Sequence, residues 1–261
     1  MDNKREYGSA PFTVVVVHGG PGAAGECASL SRELGRERGV IEHLQTADSL
    51  DGQITELETC LRHTKTQVTL VGHSYGAQLG LIAAARQPSS VKKLILVGSA
   101  VFEDKYAVQI MPVRRARLSG AENIELDAAF AVLGGMHDSQ TKNKAFAQLG
   151  HCLERTDNFD LLPETDDGVT HCYEIYARVW PEMAALRTTG RLLTYAGELC
   201  CPVVAIHGEY DPHPAMGVRE PLERVVDDFK FILLEKCGHV PWRERWAREV
   251  FYQALRHELG P

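Results

Sequence analysis

The apolar residues of the first hundred positions form short unbroken runs that are separated by amphipathic stretches. The runs are "FTVVVV", "QVTLVG" and "KLILVG", and such continuous rather than alternating apolarity is typical of strands buried on both faces in a parallel sheet. Helical spacing of apolar residues characterises "DGQITELETCLRH" and "YGAQLGLIAAARQP". Strands and helices that follow one another at this spacing predict βαβ units.

This alternation of strand and helix stops after residue 101. Residues 102–201 contain several helical patterns and no strong strand, and a strand pattern returns at "CPVVAIHG". We therefore predict an α/β fold whose mostly parallel central sheet, flanked by helices, is formed by residues 1–101 and 202–261. The segment 102–201 is predicted to be an inserted helical cap over the crevice at the carboxyl ends of the strands. Because the valine run begins so early, any leading N-terminal strands are expected to be short or absent.

Composition and charge exclude some function classes without choosing one. The 261 residues carry a net charge of −7, which provides no general attraction to nucleic acid or acidic membranes. No apolar run reaches the roughly 18 residues of a membrane helix, and four consecutive valines are too few for a signal-peptide core. The seven cysteines have no regular spacing, so we expect reduced thiols in a cytoplasmic protein. From the charge and the short apolar runs, we expect neither nucleic-acid nor membrane partners.

A serine between two glycines marks the junction of a predicted strand and helix. The stretch "LVGHSYG" fits G-x-S-x-G, with Ser74 between Gly72 and Gly76. In such a turn, bulky residues two positions away on either side would collide, which explains the glycines. The turn presents the serine hydroxyl above the sheet and directs the amide of Tyr75 toward a developing oxyanion. The alternative is a glycine-rich turn that happens to contain a serine.

A second glycine-rich loop, "HGGPG", follows the valine strand directly. Three glycines bring bare backbone N–H groups close to a ligand, and the amide of Gly20 is the natural second oxyanion donor beside that of Tyr75. His18 and Gly19 are expected to support this loop, His18 through hydrogen bonds. A simple strand-to-helix turn is the alternative, although it needs fewer glycines.

An acid and a histidine follow two later strands. Asp211 lies in "HGEYDPHP" and His239 in "CGHVPW", so the chain order is serine, acid, histidine, which belongs to α/β-hydrolases. Alternatively, Asp211 is only a turn residue and His239 a surface histidine. His207 and His213 could join them in a metal site, but no spacing such as H-E-x-x-H is present. We therefore predict neither a metal nor an organic cofactor.

These motifs together resemble the α/β-hydrolases, and "HGGPG" with "GHSYG", "GEYDPHP" and "CGHVPW" is similar to the proline iminopeptidase-like (peptidase S33-like) group. The resemblance implies that Ser74 is the nucleophile, Asp211 the acid and His239 the base, with Gly20 and Tyr75 forming the oxyanion hole. His73 departs from the Gly-Gly-Ser elbow common in that group. Those enzymes also hold the substrate's free amine with acidic cap residues, and the cap acids here include Glu174, Glu182 and Glu198.

The sequence thus predicts a serine hydrolase that cleaves a small ester, amide or short peptide through an acyl-enzyme. A carboxylesterase, a lactonase and a C–C bond hydrolase remain alternatives, because the fold does not choose among them. Two alternatives from other classes are a ligand sensor with little turnover and a purely structural protein. We expect Trp180 to pack within the cap and Trp242 to pack beside His239. The oligomeric state is left open.

Overall fold

The computed structural model describes residues 3–163 and 168–260, so residues 164–167 of the predicted cap and the extreme chain ends lie outside the described residues. The strands are β1 Lys4–Tyr7, β2 Phe12–Val17, β3 Ala23–Ala24, β4 Gly39–His43, β5 Val68–His73, β6 Val91–Val97, β7 Thr170–His171, β8 Val203–Gly208 and β9 Phe229–Leu234. The helices are α1 Ala28–Leu34, α2 Leu50–His63, α3 Tyr75–Arg86, α4 Asp104–Ala107, α5 Ile110–Arg117, α6 Gly120–Gly134, α7 Ser139–Asp157, α8 Tyr173–Thr188, α9 Arg191–Gly197, α10 Met216–Glu223 and α11 Arg248–Leu259. No helix in the described residues is both long and apolar enough to cross a membrane.

Seven strands form one sheet in the order β1-β4-β2-β5-β6-β8-β9. Every neighbouring pair is parallel except β1 and β4, which run antiparallel at one edge. The mostly parallel sheet that the apolar runs predict is therefore confirmed. The leading strand β1 has only four residues, in agreement with the expectation that the N-terminal strands are short.

Both faces of the sheet are covered, which explains the unbroken valine run in β2. Val15 and Val17 lie in one apolar cluster, and Val14 and Val16 lie in another on the opposite face. All four side chains are buried, and burial of such a side chain contributes about 1.5–3 kcal/mol. Residues of α3 belong to the first cluster and residues of α11 to the second. An alternating pattern would have left one of these faces without apolar partners.

The segment between β6 and β8 is mainly helical and comprises α4 to α9. Helices α6 and α7 enclose an apolar cluster of their own, formed by Leu126, Ala129, Leu133, Ala145, Leu149 and Cys152. Helices α8 and α9 instead add Val179, Met183 and Leu192 to the main core. The sequence patterns did not predict α4 and α5, because both are short and contain no buried residue to create an apolar stripe.

Two contacts attach the start of α8 and the middle of that helix to the rest of the chain. Strands β3 and β7 pair antiparallel, and the N–H of Cys172 donates to the carbonyl of Gly22 at 2.8 Å. The carboxylate of Glu182 accepts the N–H of Leu50 at 2.9 Å, so it caps the N-terminus of α2, where a negative charge is favourable. Because β3 and β7 have two residues each, neither was visible as an apolar run.

Candidate active site

The turn that contains Ser74 is strained and leaves no room for side chains on either side of it. Ser74 follows β5 with φ 53° and ψ −117°, a conformation unfavourable for residues other than glycine. A Cβ atom at Gly72 would lie 2.4 Å from the carbonyl oxygen of Gly76. One at Gly76 would lie 2.3 Å from the carbonyl oxygen of His18. The turn thus needs glycine at both positions and is packed directly against the loop after β2.

Three predicted residues are joined by hydrogen bonds above the sheet. The Oγ of Ser74 donates to Nε2 of His239 at 3.0 Å, and Nδ1 of His239 donates to Oδ2 of Asp211 at 2.7 Å. The three residues follow the carboxyl ends of β5, β9 and β8. Because parallel strands end at a common edge, residues far apart in sequence meet there. These hydrogen bonds allow a proton to pass from the hydroxyl of Ser74 to the imidazole of His239, which the carboxylate of Asp211 orients.

The carboxylate of Asp211 is buried and surrounded by histidines. Its Oδ1 accepts both the N–H of His213 at 2.9 Å and the Nδ1–H of the same residue at 2.7 Å. His207 Nε2 lies 3.6 Å from Oδ2 and is hydrogen-bonded to the carbonyl of His213. Burial by itself would raise the pKa of Asp211, but His239, His213 and His207 hold it well below its usual value. The group is therefore a carboxylate at neutral pH.

His239 and His213 share Asp211, but their pKa values are shifted in opposite directions. Burial would lower the pKa of His239, yet the charge and hydrogen bond of Asp211 raise it above its ordinary value, with Asp157 adding to the effect. Burial lowers the pKa of His213 to about 4. The two rings are stacked with centroids 4.6 Å apart. Near pH 7, His213 thus remains neutral, whereas His239 is the imidazole suited to accept a proton.

The glycine-rich loop after β2 lies against the serine. A Cβ atom at Gly19 would lie 3.1 Å from Cβ of Ser74, which is tighter than an ordinary van der Waals contact. Gly20 follows with a positive φ of 31°. Tyr75 is the first residue of α3, and leading helical amides have no acceptor within their own helix. The two amides predicted to bind an oxyanion therefore belong to segments that flank Ser74.

His18 is completely buried at the start of this loop. The N–H of Gln45 donates to its Nε2 at 3.1 Å, so its Nδ1 carries the proton and donates to the carbonyl of Gly19 at 2.7 Å. The side-chain amide of Gln45 also donates to the carbonyl of His18 at 2.8 Å. Burial lowers the pKa of His18 to about 4. A neutral histidine of fixed tautomer therefore supports the loop conformation.

Residues at the end of α7 hold the loop of His239, although no sequence pattern indicated this contact. The N–H of His239 donates to the carbonyl of Asp157 at 2.8 Å, and that of Val240 donates to Oδ1 of Asn158 at 2.9 Å. The buried carboxylate of Glu244 joins both segments by accepting the N–H groups of Gly238, Phe159 and Asp160 at 2.6, 2.7 and 2.8 Å. Such contacts have no local signature, because their partners are some 80 residues apart.

The two tryptophans lie in different places. The ring of Trp242 contacts that of His73 edge-on at 4.7 Å, and His73 in turn lies 4.8 Å from the ring of His239. Trp180 stacks on Tyr176 within α8, with centroids 6.0 Å apart. Trp242 thus packs against His73, which in turn packs against the predicted base.

Asp211, His213 and His239 bring donor atoms within 4.8 Å of one another, an arrangement also open to a metal ion. Each imidazole Nδ1, however, lies 2.7 Å from its own oxygen of the carboxylate, which is a hydrogen-bonding separation. A metal would have to displace both of these hydrogen bonds. That the chain uses no metal stays a prediction.

Comparison with known proteins indicates the family and the fold of the chain. A protein-family model described as "Alpha/beta hydrolase family" matches residues 14–253. No curated protein matches the chain. The crystal structure of VinJ is 17% identical with a TM-score of 0.70, covering 98% of this chain and 93% of that one. A proline iminopeptidase from Mycobacterium smegmatis is 18% identical (TM-score 0.61, 98% and 93% covered). A malate-bound esterase from Thermogutta terrifontis is 18% identical (TM-score 0.63, 98% and 92% covered).

Proposed function

The chain belongs to the alpha/beta hydrolase family, and we propose on this basis that it is a serine hydrolase acting on a small ester or amide. The observation that carries the proposal is the hydrogen-bonded chain from Ser74 Oγ through His239 to the carboxylate of Asp211, at 3.0 and 2.7 Å. The strained φ of 53° at Ser74 supports it, because backbone strain of this kind clusters at functional sites.

The proposed reaction has two steps. Ser74 Oγ attacks the substrate carbonyl while Nε2 of His239 takes the hydroxyl proton, and the resulting imidazolium is stabilised by Asp211. His239 then gives that proton to the departing alcohol or amine, which leaves an acyl group on Ser74. Water, deprotonated by His239, attacks the acyl-enzyme, and the proton returns to Ser74 as the acid is released.

The amides of Gly20 and Tyr75 are the proposed donors to the oxyanion in both steps. The close approach of Gly19 to Ser74 supports this assignment, because it brings the backbone of the glycine-rich loop beside the nucleophile. One such donor contributes about 3–4 kcal/mol to lowering the barrier.

Two of the three cap acids named from the resemblance are already paired, which argues against their binding a substrate's free amine and so favours an ester or a neutral amide. Glu182 is occupied by the N–H of Leu50. Glu174 pairs with Arg178 at 2.9 Å. Glu198, the last of these three, is exposed at the end of α9. An aminopeptidase would need such a carboxylate near Ser74.

The experiment is steady-state hydrolysis by the purified protein of short- and medium-chain p-nitrophenyl esters and of proline and alanine p-nitroanilides. We expect ester turnover that Ser74→Ala abolishes and that Ser89→Ala, at an exposed serine in the turn after α3, leaves intact. Proline anilide turnover lost in Ser74→Ala would establish the aminopeptidase instead. A single burst without turnover would favour the ligand sensor, and activity that survives Ser74→Ala would refute the nucleophile.

A further inference from the structure

A second carboxylate–imidazole pair lies beside the serine and has no part in the proposed proton transfer. Glu26 follows β3 on the chain that leaves the glycine-rich loop, and His73 immediately precedes Ser74. Oε2 of Glu26 lies 3.6 Å from Nδ1 of His73. A Cβ atom at Gly19 would lie 2.7 Å from that oxygen and 2.9 Å from that nitrogen. The pair is therefore packed directly beneath the loop that approaches Ser74.

The contacts of His73 determine where its protons lie. Its Nε2 lies 3.0 Å from the carbonyl oxygen of His239, and because a carbonyl can only accept, Nε2 carries a proton. Nδ1 of His73 and Oε2 of Glu26 are both buried, and among the described residues neither has a hydrogen-bond partner. In a neutral ring, the lone pair of Nδ1 would face a carboxylate oxygen. A second proton on Nδ1 replaces this repulsion with an attraction between opposite charges.

The groups that face the pair favour this charge state. Burial alone would raise the pKa of Glu26, but His73 beside it, foremost among its neighbours, lowers it to about 2, so the carboxyl group is ionised. His18 faces the pair from the glycine-rich loop, and burial keeps it neutral by lowering its pKa to about 4. His239 faces it from the loop after β9 and directs its Nδ1 proton away, to Asp211.

We propose that Glu26 and His73 form an ion pair whose imidazolium positions the catalytic base by donating to the backbone carbonyl of His239. The pair connects three segments. Glu26 lies just after the glycine-rich loop, His73 lies in the turn of Ser74, and the bond from His73 reaches the loop that carries His239. A hydrogen bond from a charged donor is stronger than one from a neutral ring. Glu26 and His73 are thus positioning residues, and their effect on turnover rests on the proposed function.

The charge state is tested without any substrate, by nuclear magnetic resonance of the full chain labelled with ¹⁵N in its histidines. His73 is assigned by comparison with His73→Asn. We expect both ring nitrogens of His73 to be protonated at pH 7.5 in the wild type. In Glu26→Gln the side chain keeps its shape and can donate to Nδ1, so His73 should become neutral with a proton only on Nε2. A neutral His73 in the wild type would overturn the proposal, as would an unchanged imidazolium in Glu26→Gln.

The positioning effect is tested with the ester that the wild type turns over best. In Glu26→Gln we expect kcat to fall roughly tenfold with KM little changed, because the base and not the substrate is displaced. The matched control is Glu37→Gln, which alters an exposed pair with Arg256. Unchanged kcat in Glu26→Gln would contradict the positioning role. Failure of the proposed function can be told apart from failure of this inference. If the wild type shows no Ser74-dependent turnover, the resonance experiment still reports whether His73 is charged.

Discussion

Replacing Asp211 with asparagine changes one atom of the site and should invert the tautomer of the base. Two donors from His213 converge on Oδ1 of the carboxylate, whereas His239 alone donates to Oδ2. Asparagine has a single acceptor oxygen, and the two donors favour placing it on the side of His213. Its NH₂ group then faces Nδ1 of His239, which must accept a hydrogen bond rather than donate one. The proton of the ring moves to Nε2, where it prevents acceptance of the proton from Ser74.

We expect Asp211→Asn to lower kcat about 10,000-fold, which corresponds to about 5 kcal/mol of lost transition-state stabilisation. The substitution preserves side-chain shape, so thermal unfolding should show a folded protein. The assay is steady-state turnover of the best p-nitrophenyl ester at pH 7.5. The matched control is Asp227→Asn, at an exposed position before β9. A fall of less than about tenfold in a folded Asp211→Asn protein would refute the argument that this carboxylate sets the tautomer of His239.

Three further predictions concern the base, the turn and the loop of the base. The pKa of His239 is raised, and only its neutral form accepts a proton. We therefore expect kcat/KM to fall as the pH drops, with a midpoint above 6.5. A midpoint below 6.5 would contradict the raised pKa. Gly72→Ala places a Cβ 2.4 Å from the carbonyl of Gly76 and should cost about 3 kcal/mol or more in urea unfolding. Gly150→Ala, where a Cβ meets nothing within 4 Å inside α7, should instead stabilise by about 0.5–1 kcal/mol, and equal effects would refute the steric argument. In Glu244→Gln, the new NH₂ group faces backbone N–H groups that the carboxylate accepted. We expect the free energy of unfolding to fall by about 2 kcal/mol. An unchanged free energy of unfolding would show that the carboxylate is not needed there.

Two sets of contacts attach the segment between β6 and β8 to loops beside Ser74. Asp157 and Asn158 bind the backbone of the loop that carries His239, and β7 pairs with β3 just after the glycine-rich loop. The inserted segment is thus attached to both loops that flank Ser74. If it acts as the cap that the sequence predicts, its movement would be coupled to the geometry of the base.

The sequence by itself determined the features whose causes are local. The unbroken valines of β2 require two covered faces, and the glycines at 72 and 76 are required by clashes within a few residues of Ser74. These local constraints identified the parallel sheet, the turn and the resemblance to the α/β-hydrolases, which the family match confirms. The assignment of Ser74, Asp211 and His239 to catalytic roles stays a prediction, although the structure brings all three within hydrogen-bonding distance.

Only the tertiary structure decided what surrounds those three residues. Nothing in the pattern of the chain shows that Glu26 faces His73, or that Glu244 binds amides some 80 residues away. Such contacts depend on how separate elements pack, and a buried charge is tolerated wherever packing supplies its partners. The sequence did not predict helices α4 and α5, because helices that bury no residue show no periodic spacing of apolar residues.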